Sequence, residues 1–136
     1  MYQHYLSQVG QPGQTVNPLF AFLGVIVEVL EPGRAVLSLK VRPELIQGAG
    51  VAAGGILATI LDEAMAHAIL PTLTETQRCA TVELSVRYFA PVKKGDTLTA
   101  QARVVKAGKR IVFVEGEVVN SKDEPVARAD ASFMVG

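Results

Sequence analysis

The stretch QGAGVAAGGILATILDEAM, residues 47–65, joins a glycine-rich loop directly to an apolar segment. Apolar residues recur at intervals of three and four, and Pro71 follows, so the pattern predicts one helix over residues 54–70. A helix start exposes backbone N–H groups without intrahelical partners, and the helix dipole adds partial positive charge there. The start at Gly54 and Gly55 can therefore hold an oxygen that becomes negative during a reaction.

Two carboxylates, Asp62 and Glu63, interrupt the apolar helix. A carboxylate about two turns after such a helix start can serve as a base or a nucleophile, so the combination indicates acyl-transfer chemistry. Neighbouring side chains point about 100° apart on a helix, so the two do not form a close dyad. We interpret Glu63 as a surface or subunit-contact residue, and we expect His67, four residues later, to pair with it structurally.

Strand patterns flank the predicted helix. A hairpin precedes it, with strands over residues 19–30 and 35–41. Residues 79–89 alternate strictly, with Val82 and Leu84 on one face and Thr81 on the other. Four consecutive strands with short connections predict an antiparallel meander, packed on the helix in an α+β fold. The four strands cover residues 79–89, 97–106, 110–119 and 125–134.

The composition favours one domain, residues 1–136, in which residues 1–16 form an N-terminal extension or short helix. Lys plus Arg and Asp plus Glu number 13 each, and this balance argues against a nucleic-acid partner. We expect no membrane partner, because no apolar run is long enough to span a bilayer. The single Cys79 fits a cytoplasmic location, and no metal-ligand spacing occurs. Hydrophobic residues make up 49% of the chain, which favours buried subunit interfaces.

Residues 48–53, GAGVAA, also fit the GxGxxA pattern of dinucleotide-binding loops. That pattern requires a preceding parallel strand and a βαβ unit, and neither is predicted here. The phosphate-binding loop of nucleotide hydrolases is excluded as well, because no Lys follows Gly55.

The loop and helix resemble those of the PaaI-like acyl-CoA thioesterases, which have the hotdog fold. The family pattern has Asn or Gln, then Gly, then His-Gly-Gly, and an acidic residue seven positions after the second Gly. In this chain the pattern reads Gln47, Gly50, Ala53-Gly54-Gly55 and Asp62. The later segment YFAPVKKGDTLTAQARVVKAGKR, residues 88–110, is also similar. The resemblance implies an antiparallel sheet of about six strands wrapped around one long central helix.

The family roles imply an acyl- or aryl-CoA thioesterase that needs no cofactor besides its coenzyme A substrate. Gly54 and Gly55 would polarise the thioester carbonyl, and Asp62 would attack it or activate a water. Gln47 would orient the thioester or the water, and Thr81 would stand near the attacking water. In this fold the site forms between two subunits, so the resemblance implies a homodimer or homotetramer.

Further positions are expected to bind substrate. Loop residues would contact the thioester, apolar helix residues would form the pocket floor, and basic residues near a hairpin would meet the phosphates of coenzyme A. These residues are Gly50 and Ala53 in the loop, Leu61 and Met65 on the helix, and Lys106, Lys109 and Arg110 near the hairpin.

One position departs from the family pattern, because Ala53 stands where relatives carry the motif His. This substitution leaves open a non-catalytic acyl-CoA or small-ligand-binding protein on the same fold. A dehydratase relative would use a His in the site, and neither His4 nor His67 is placed for that role. A purely structural oligomerisation module would leave the glycine-rich loop without a purpose.

Overall fold

One antiparallel sheet wraps the long central helix in the computed structural model, which describes residues 2–136. Within these residues, none of the helices combines the length and apolarity that crossing a membrane requires. The helices are α1 (Tyr2–Gln8), α2 (Pro18–Leu23) and α3 (Gly54–Ile69), and the strands are β1 (Ile26–Glu31), β2 (Arg34–Lys40), β3 (Cys79–Tyr88), β4 (Thr97–Ala107), β5 (Ile111–Val119) and β6 (Pro125–Val135).

The sheet has the order β1-β2-β4-β5-β6-β3, and every neighbouring pair is antiparallel. Its inner face packs on α3 and forms the core with buried side chains such as Leu37, Leu98 and Phe133. Gly116 of β5 allows close approach, because a Cβ there would lie 3.1 Å from Leu61 Cδ2. This arrangement agrees with the α+β class and with the hotdog architecture that the resemblance implies.

The strand predicted over residues 19–30 is wrong in its first half, where the chain forms α2. The Asn17 side-chain oxygen accepts a hydrogen bond from the Phe20 N–H (3.0 Å), and Pro18 occupies the first turn. Gly24 ends the helix with a φ of 80°, in the left-handed region that favours glycine. These end signals outweigh the β propensity of the aromatic residues between them, so only β1 remains as a strand.

The predicted four-strand meander is also corrected, because β3 pairs with β6 and not with β4. The connection over residues 89–96 is longer than a hairpin loop, which has 2–5 residues. Eight residues can span roughly 26 Å, whereas the three strand spacings between β3 and β4 need about 14 Å. The connection therefore crosses the end of the sheet, where the Ala52 N–H donates to the Val92 carbonyl oxygen (2.8 Å).

Strict alternation along β3 also fails at one point. A register shift between Thr81 and Glu83 marks a bulge in the pairing with β6. Thr81 pairs with the buried Phe133, and Leu84 pairs with Ala131, so both turn toward α3. Val82, at the bulge, is 59% exposed. An extra residue in the strand thus places Thr81 on the inner face, opposite to the face that the alternation predicts.

Candidate active site

Backbone hydrogen bonds shape the glycine-rich loop that leads into α3. The Gln47 N–H donates to the Val51 carbonyl oxygen (2.9 Å), and the Gly50 N–H donates to the Gln47 carbonyl oxygen (2.9 Å). Gly50 has a φ of 86°, which explains the glycine at this position. The Gln47 side-chain oxygen accepts from the Ala49 N–H. The loop therefore folds on its own backbone and keeps Gln47 exposed.

The start of α3 offers unpaired backbone donors. Ala53 is the residue before the first turn, and it makes no side-chain capping bond. Among residues 2–136, neither the Gly54 N–H nor the Gly55 N–H has a hydrogen-bond acceptor. A Cβ built on Gly55 would meet no atom within 4 Å. The helix start thus combines a free donor, the positive end of the dipole and open space above Gly55.

Asp62 and Thr81 lie together. The Thr81 hydroxyl donates a hydrogen bond of 2.7 Å to Asp62 Oδ1. Thr81 is exposed and Asp62 is half-buried, so the pair faces the surface beside the edge strand β3. The hydroxyl fixes one carboxylate oxygen, which is the kind of orientation that a base or nucleophile requires.

Within one chain, Asp62 is far from the start of its own helix. Asp62 comes seven positions after Gly55, and a helix rises about 1.5 Å per residue, so the two lie about 10 Å apart along the axis. A reacting carbonyl needs its attacking group and its oxyanion donor within about 3 Å. The two predicted halves of the site therefore do not meet in a single copy of the chain.

Glu63, predicted to be a surface or subunit-contact residue, is partly buried, with a side chain that is 27% exposed in the single chain. Burial, together with the neighbouring Asp62 carboxylate, raises the pKa of Glu63 to about 7. Its carboxylate lies 3.7 Å from Nδ1 of the buried His67, which confirms the predicted contact between these two residues. Burial also lowers the pKa of His67.

Neutral His67 has a complete set of partners. Its Nδ1–H donates to the Glu63 carbonyl oxygen (2.7 Å), and its Nε2 accepts from the Tyr5 hydroxyl (2.8 Å). The Tyr5 hydroxyl also accepts from the Asn17 side chain (2.7 Å), so the cluster ties α1 to α3. The ring of Phe20 stacks at 4.9 Å from the imidazole. These contacts support the structural interpretation of His67.

Leu61 and Met65 belong to the core. Both are fully buried, and both approach Gly116, where an added Cβ would lie 3.1 Å from Leu61 and 3.5 Å from Met65. Neither lines the apolar groove beside the start of α3. Their side chains hold α3 against the sheet, and their expected role as pocket floor stays a prediction.

The predicted basic cluster lies at the other end of the sheet from the helix start. Lys106, Lys109 and Arg110 are exposed around the β4–β5 turn. The Arg110 carbonyl oxygen accepts from the N–H of Val135, which pairs with Cys79 at the beginning of β3. Gly54, in contrast, contacts the end of β3. One chain therefore does not bring the basic cluster to its own glycine-rich loop.

An apolar groove of about 370 Å³ opens beside the start of α3. No role was predicted for Tyr88 from the sequence. Its position on the inner face with Leu84 and Val86 was the signal that could have indicated a contact with α3. The Tyr88 hydroxyl donates to the Gly54 carbonyl oxygen (2.7 Å). The groove is lined by Val51, Ala52, Gly54, Leu57, Tyr88, Phe89, Ala90, Pro91 and Val92.

A larger cavity, of about 460 Å³, lies on the outer face of the sheet, away from α3. Its walls carry paired charges, with Arg103 beside Glu115 and with Arg128 at 2.7 Å from Glu117. These pairs neutralise one another, and the cavity contains neither the carboxylate nor the helix start. Within residues 2–136, no three His, Cys, Asp or Glu side chains are grouped so as to hold a metal ion.

Comparisons with known proteins agree with this geometry. The family model of the thioesterase superfamily matches residues 49–127. The acyl-coenzyme A thioesterase PaaI of Escherichia coli is 31% identical over 107 residues, which cover 77% of this chain and 73% of that protein.

Solved structures give the same result. A mutant of the phenylacetic acid degradation protein PaaI from Thermus thermophilus has a TM-score of 0.79 at 29% identity, with 87% of this chain and 98% of that chain covered. A Streptococcus mutans protein bound to acetyl CoA has a TM-score of 0.76 at 25% identity, with 81% and 86% covered. This chain therefore belongs to the thioesterase superfamily, as a PaaI-like thioester hydrolase with the hotdog fold.

Proposed function

We propose that the chain hydrolyses an acyl- or aryl-coenzyme A thioester to a free acid and coenzyme A. The observation that carries this proposal is the Asp62 carboxylate held by the Thr81 hydroxyl at 2.7 Å. The free N–H of Gly55 supports it, because an acyl transfer needs both an attacking group and a donor for the oxyanion. The acetyl CoA bound to the Streptococcus mutans protein supports a coenzyme A thioester as the substrate class.

In this mechanism the thioester oxygen rests at the start of α3. The Gly55 N–H and the helix dipole would stabilise the negative charge that develops on that oxygen. Asp62 would attack the carbonyl carbon directly or take a proton from an attacking water, and Thr81 would hold the carboxylate in position. Gln47, exposed on the loop, would orient the thioester.

We propose further that two copies of the chain build each site. Strand β3 is an edge strand, and on it Val82 is 59% exposed. Antiparallel pairing of β3 with the β3 of a second copy would place the beginning of one strand beside the end of the other. Asp62 of one copy would then approach the helix start of the other. The distance along α3 within one copy supports this arrangement, because it is too long for a single-chain site.

The same pairing would assemble the coenzyme A contacts. The cluster of Lys106, Lys109 and Arg110 lies near the beginning of β3, and the apolar groove lies near its end. Antiparallel pairing would therefore bring the basic cluster of one copy toward the groove of the other. Exposed Lys and Arg side chains near such a groove are suited to bind the phosphates of coenzyme A.

The second candidate function is binding of acyl-CoA without hydrolysis, and the observation that favours it is Ala53 at the position of the motif His. We do not favour it, because the carboxylate, its hydroxyl partner and the helix donor are all present.

The test is thiol release from a panel of acyl- and aryl-coenzyme A thioesters, measured together with calorimetric binding of the same compounds. We expect release from at least one compound, and the best substrate names the acyl class. Saturable binding of several compounds with no thiol released over hours would contradict hydrolysis and support the binder.

A further inference from the structure

The hydroxyl of Tyr88, the last residue of β3, bonds to the first turn of α3. It donates to the Gly54 carbonyl oxygen at 2.7 Å. The ring also lies against the same residue, since a Cβ built on Gly54 would stand 3.2 Å from Tyr88 Cζ. Both contacts reach Gly54 from the sheet, so a side chain outside the helix packs on and bonds to its first turn.

This contact acts on the donor of the proposed oxyanion site through one peptide group. The Gly54 carbonyl and the Gly55 N–H belong to the same planar peptide, in which they point in opposite directions. A hydrogen bond to the carbonyl fixes that plane and polarises the N–H on its other side. The Gly55 N–H has no acceptor among residues 2–136, so this polarised N–H remains available to donate a hydrogen bond to a ligand.

Little else fixes this first turn from outside. Ala53 supplies no side-chain cap, and the Thr59 hydroxyl bonds to the Gly55 carbonyl oxygen (2.8 Å), which belongs to the following peptide. The loop before it is held by the Ala53 N–H, which donates to the Leu45 carbonyl oxygen (3.0 Å). Tyr88 therefore supplies a side-chain hydrogen bond from outside α3 to the Gly54–Gly55 peptide.

We propose that Tyr88 is a positioning residue for the oxyanion site. Its hydroxyl orients and polarises the Gly54–Gly55 peptide, so that the Gly55 N–H meets the developing negative charge on the thioester oxygen. The proposal rests on the proposed function, since it assigns Tyr88 a part in that same site. Tyr88 touches no reacting atom in this scheme, and it acts through the backbone alone.

The test is Tyr88→Phe, which keeps the ring against Gly54 and removes only the hydroxyl. An oxyanion donor is worth about 10²- to 10³-fold in kcat, and an indirect contact is worth less, so we expect kcat to fall about 5- to 30-fold. We expect KM to stay within about twofold, because the contact acts mainly in the transition state. Tm should hardly change, since Tyr88 is half exposed.

Tyr5→Phe is the matched control, because it also removes a hydroxyl that bonds to α3, at His67 and away from the helix start. It should leave kcat unchanged. A Tyr88→Phe enzyme with wild-type kcat would overturn the positioning role while leaving thioester hydrolysis intact. A raised KM at unchanged kcat would overturn it too, because it would show that Tyr88 only binds substrate.

A second readout does not depend on turnover. The amide proton of Gly55 in a proton–nitrogen NMR spectrum reports how strongly its peptide is polarised. We expect this proton to move to lower chemical shift in Tyr88→Phe and to stay in place in Tyr5→Phe. An unmoved Gly55 signal in Tyr88→Phe would overturn the proposal, even if no substrate of the wild type were found.

Discussion

At the scale of the residue, we expect a substitution of Gly55 to change stability and activity in opposite directions. It is the second residue of α3, and its side-chain direction is open. Replacing glycine by alanine inside a helix stabilises by about 0.5–1 kcal/mol. In Gly55→Ala we therefore expect a higher Tm but a turnover at least about tenfold lower, because the methyl group crowds the proposed oxyanion site. Thermal unfolding and thiol release, measured on the same preparation, check the higher Tm and the lower turnover. Undiminished turnover would contradict the assignment of the oxyanion site to Gly55.

Glu63 predicts a pH dependence of stability. Its pKa is about 7 in the folded chain, against 4.5 ordinarily. Between these pH values the folded chain holds a proton that the unfolded chain releases, so the stability contributed by Glu63 falls as the pH rises through this window. Glu63→Gln removes the titration. Its stability relative to wild type should therefore grow from about pH 4.5 to about pH 7, by at most about 3 kcal/mol, and then stay constant.

Urea unfolding of wild type and Glu63→Gln at about pH 5 and about pH 8 measures this difference. The lowered pKa of His67 gives the opposite slope, because the unfolded chain takes up the proton as the pH falls. Burial, the main cause of the His67 shift, is the same in both proteins, so that slope nearly cancels in the comparison. A difference that is equal at the two pH values would contradict the assignment to Glu63.

The residues also show how far the site could be predicted from the sequence. The glycines and Asp62 stand out, because a helix start and a carboxylate in an apolar helix are visible as patterns. Thr81 came only from the family resemblance, since alternation placed it on the outer face and the bulge turns it inward. Tyr88 was missed as a contact, because alternation can place its side chain on the inner face but cannot show that its hydroxyl reaches Gly54, 34 residues away.

At the scale of the element, the exposed edge strand β3 controls assembly. We expect Val82→Lys to shift the chain toward the monomer and to lower turnover with it, because a charge on an edge strand opposes pairing. Val105→Lys on β4 is the matched control, since Val105 is 55% exposed and lies outside β3. Light scattering after size exclusion gives the oligomeric state. A monomeric Val82→Lys with full turnover would contradict a site shared by two copies.

Prediction of the helices and strands failed where residues distant in the sequence, or residues at the ends of an element, determine the structure. The bounds of α3 and of the last four strands agree with the sequence within about two residues. Residues 18–23 became α2, because Asn17, Pro18 and Gly24 end a helix there despite a β-like composition. The order of β3 in the sheet depends on its pairing with β6, and hydrophobic periodicity carries no information about which strands pair.

At the scale of the whole molecule, a site shared by two copies predicts complementation. Asp62→Asn and Gly55→Val each damage one half of the site, so each homodimer should be nearly inactive. A mixed dimer has one site with both defects and one site with none. After random reassociation, half of the dimers are mixed, so we expect about a quarter of wild-type activity to return. The chain with both substitutions, reassociated with wild type, is the control. Its mixed dimers keep one defect in each shared site, so only the wild-type homodimers, about a quarter of all dimers, should be active; sites within one chain would instead leave about half of the activity.

The most direct test of the account compares the two neighbouring carboxylates of α3. Asp62→Asn and Glu63→Gln make the same chemical change one residue apart, and only Asp62 bonds to Thr81. With the best thioester of the panel, we predict that kcat falls on the order of 10²-fold or more in Asp62→Asn and stays within a few-fold in Glu63→Gln. Circular dichroism and size exclusion verify that both variants fold and assemble. Wild-type turnover in a folded, assembled Asp62→Asn would contradict the catalytic role of Asp62.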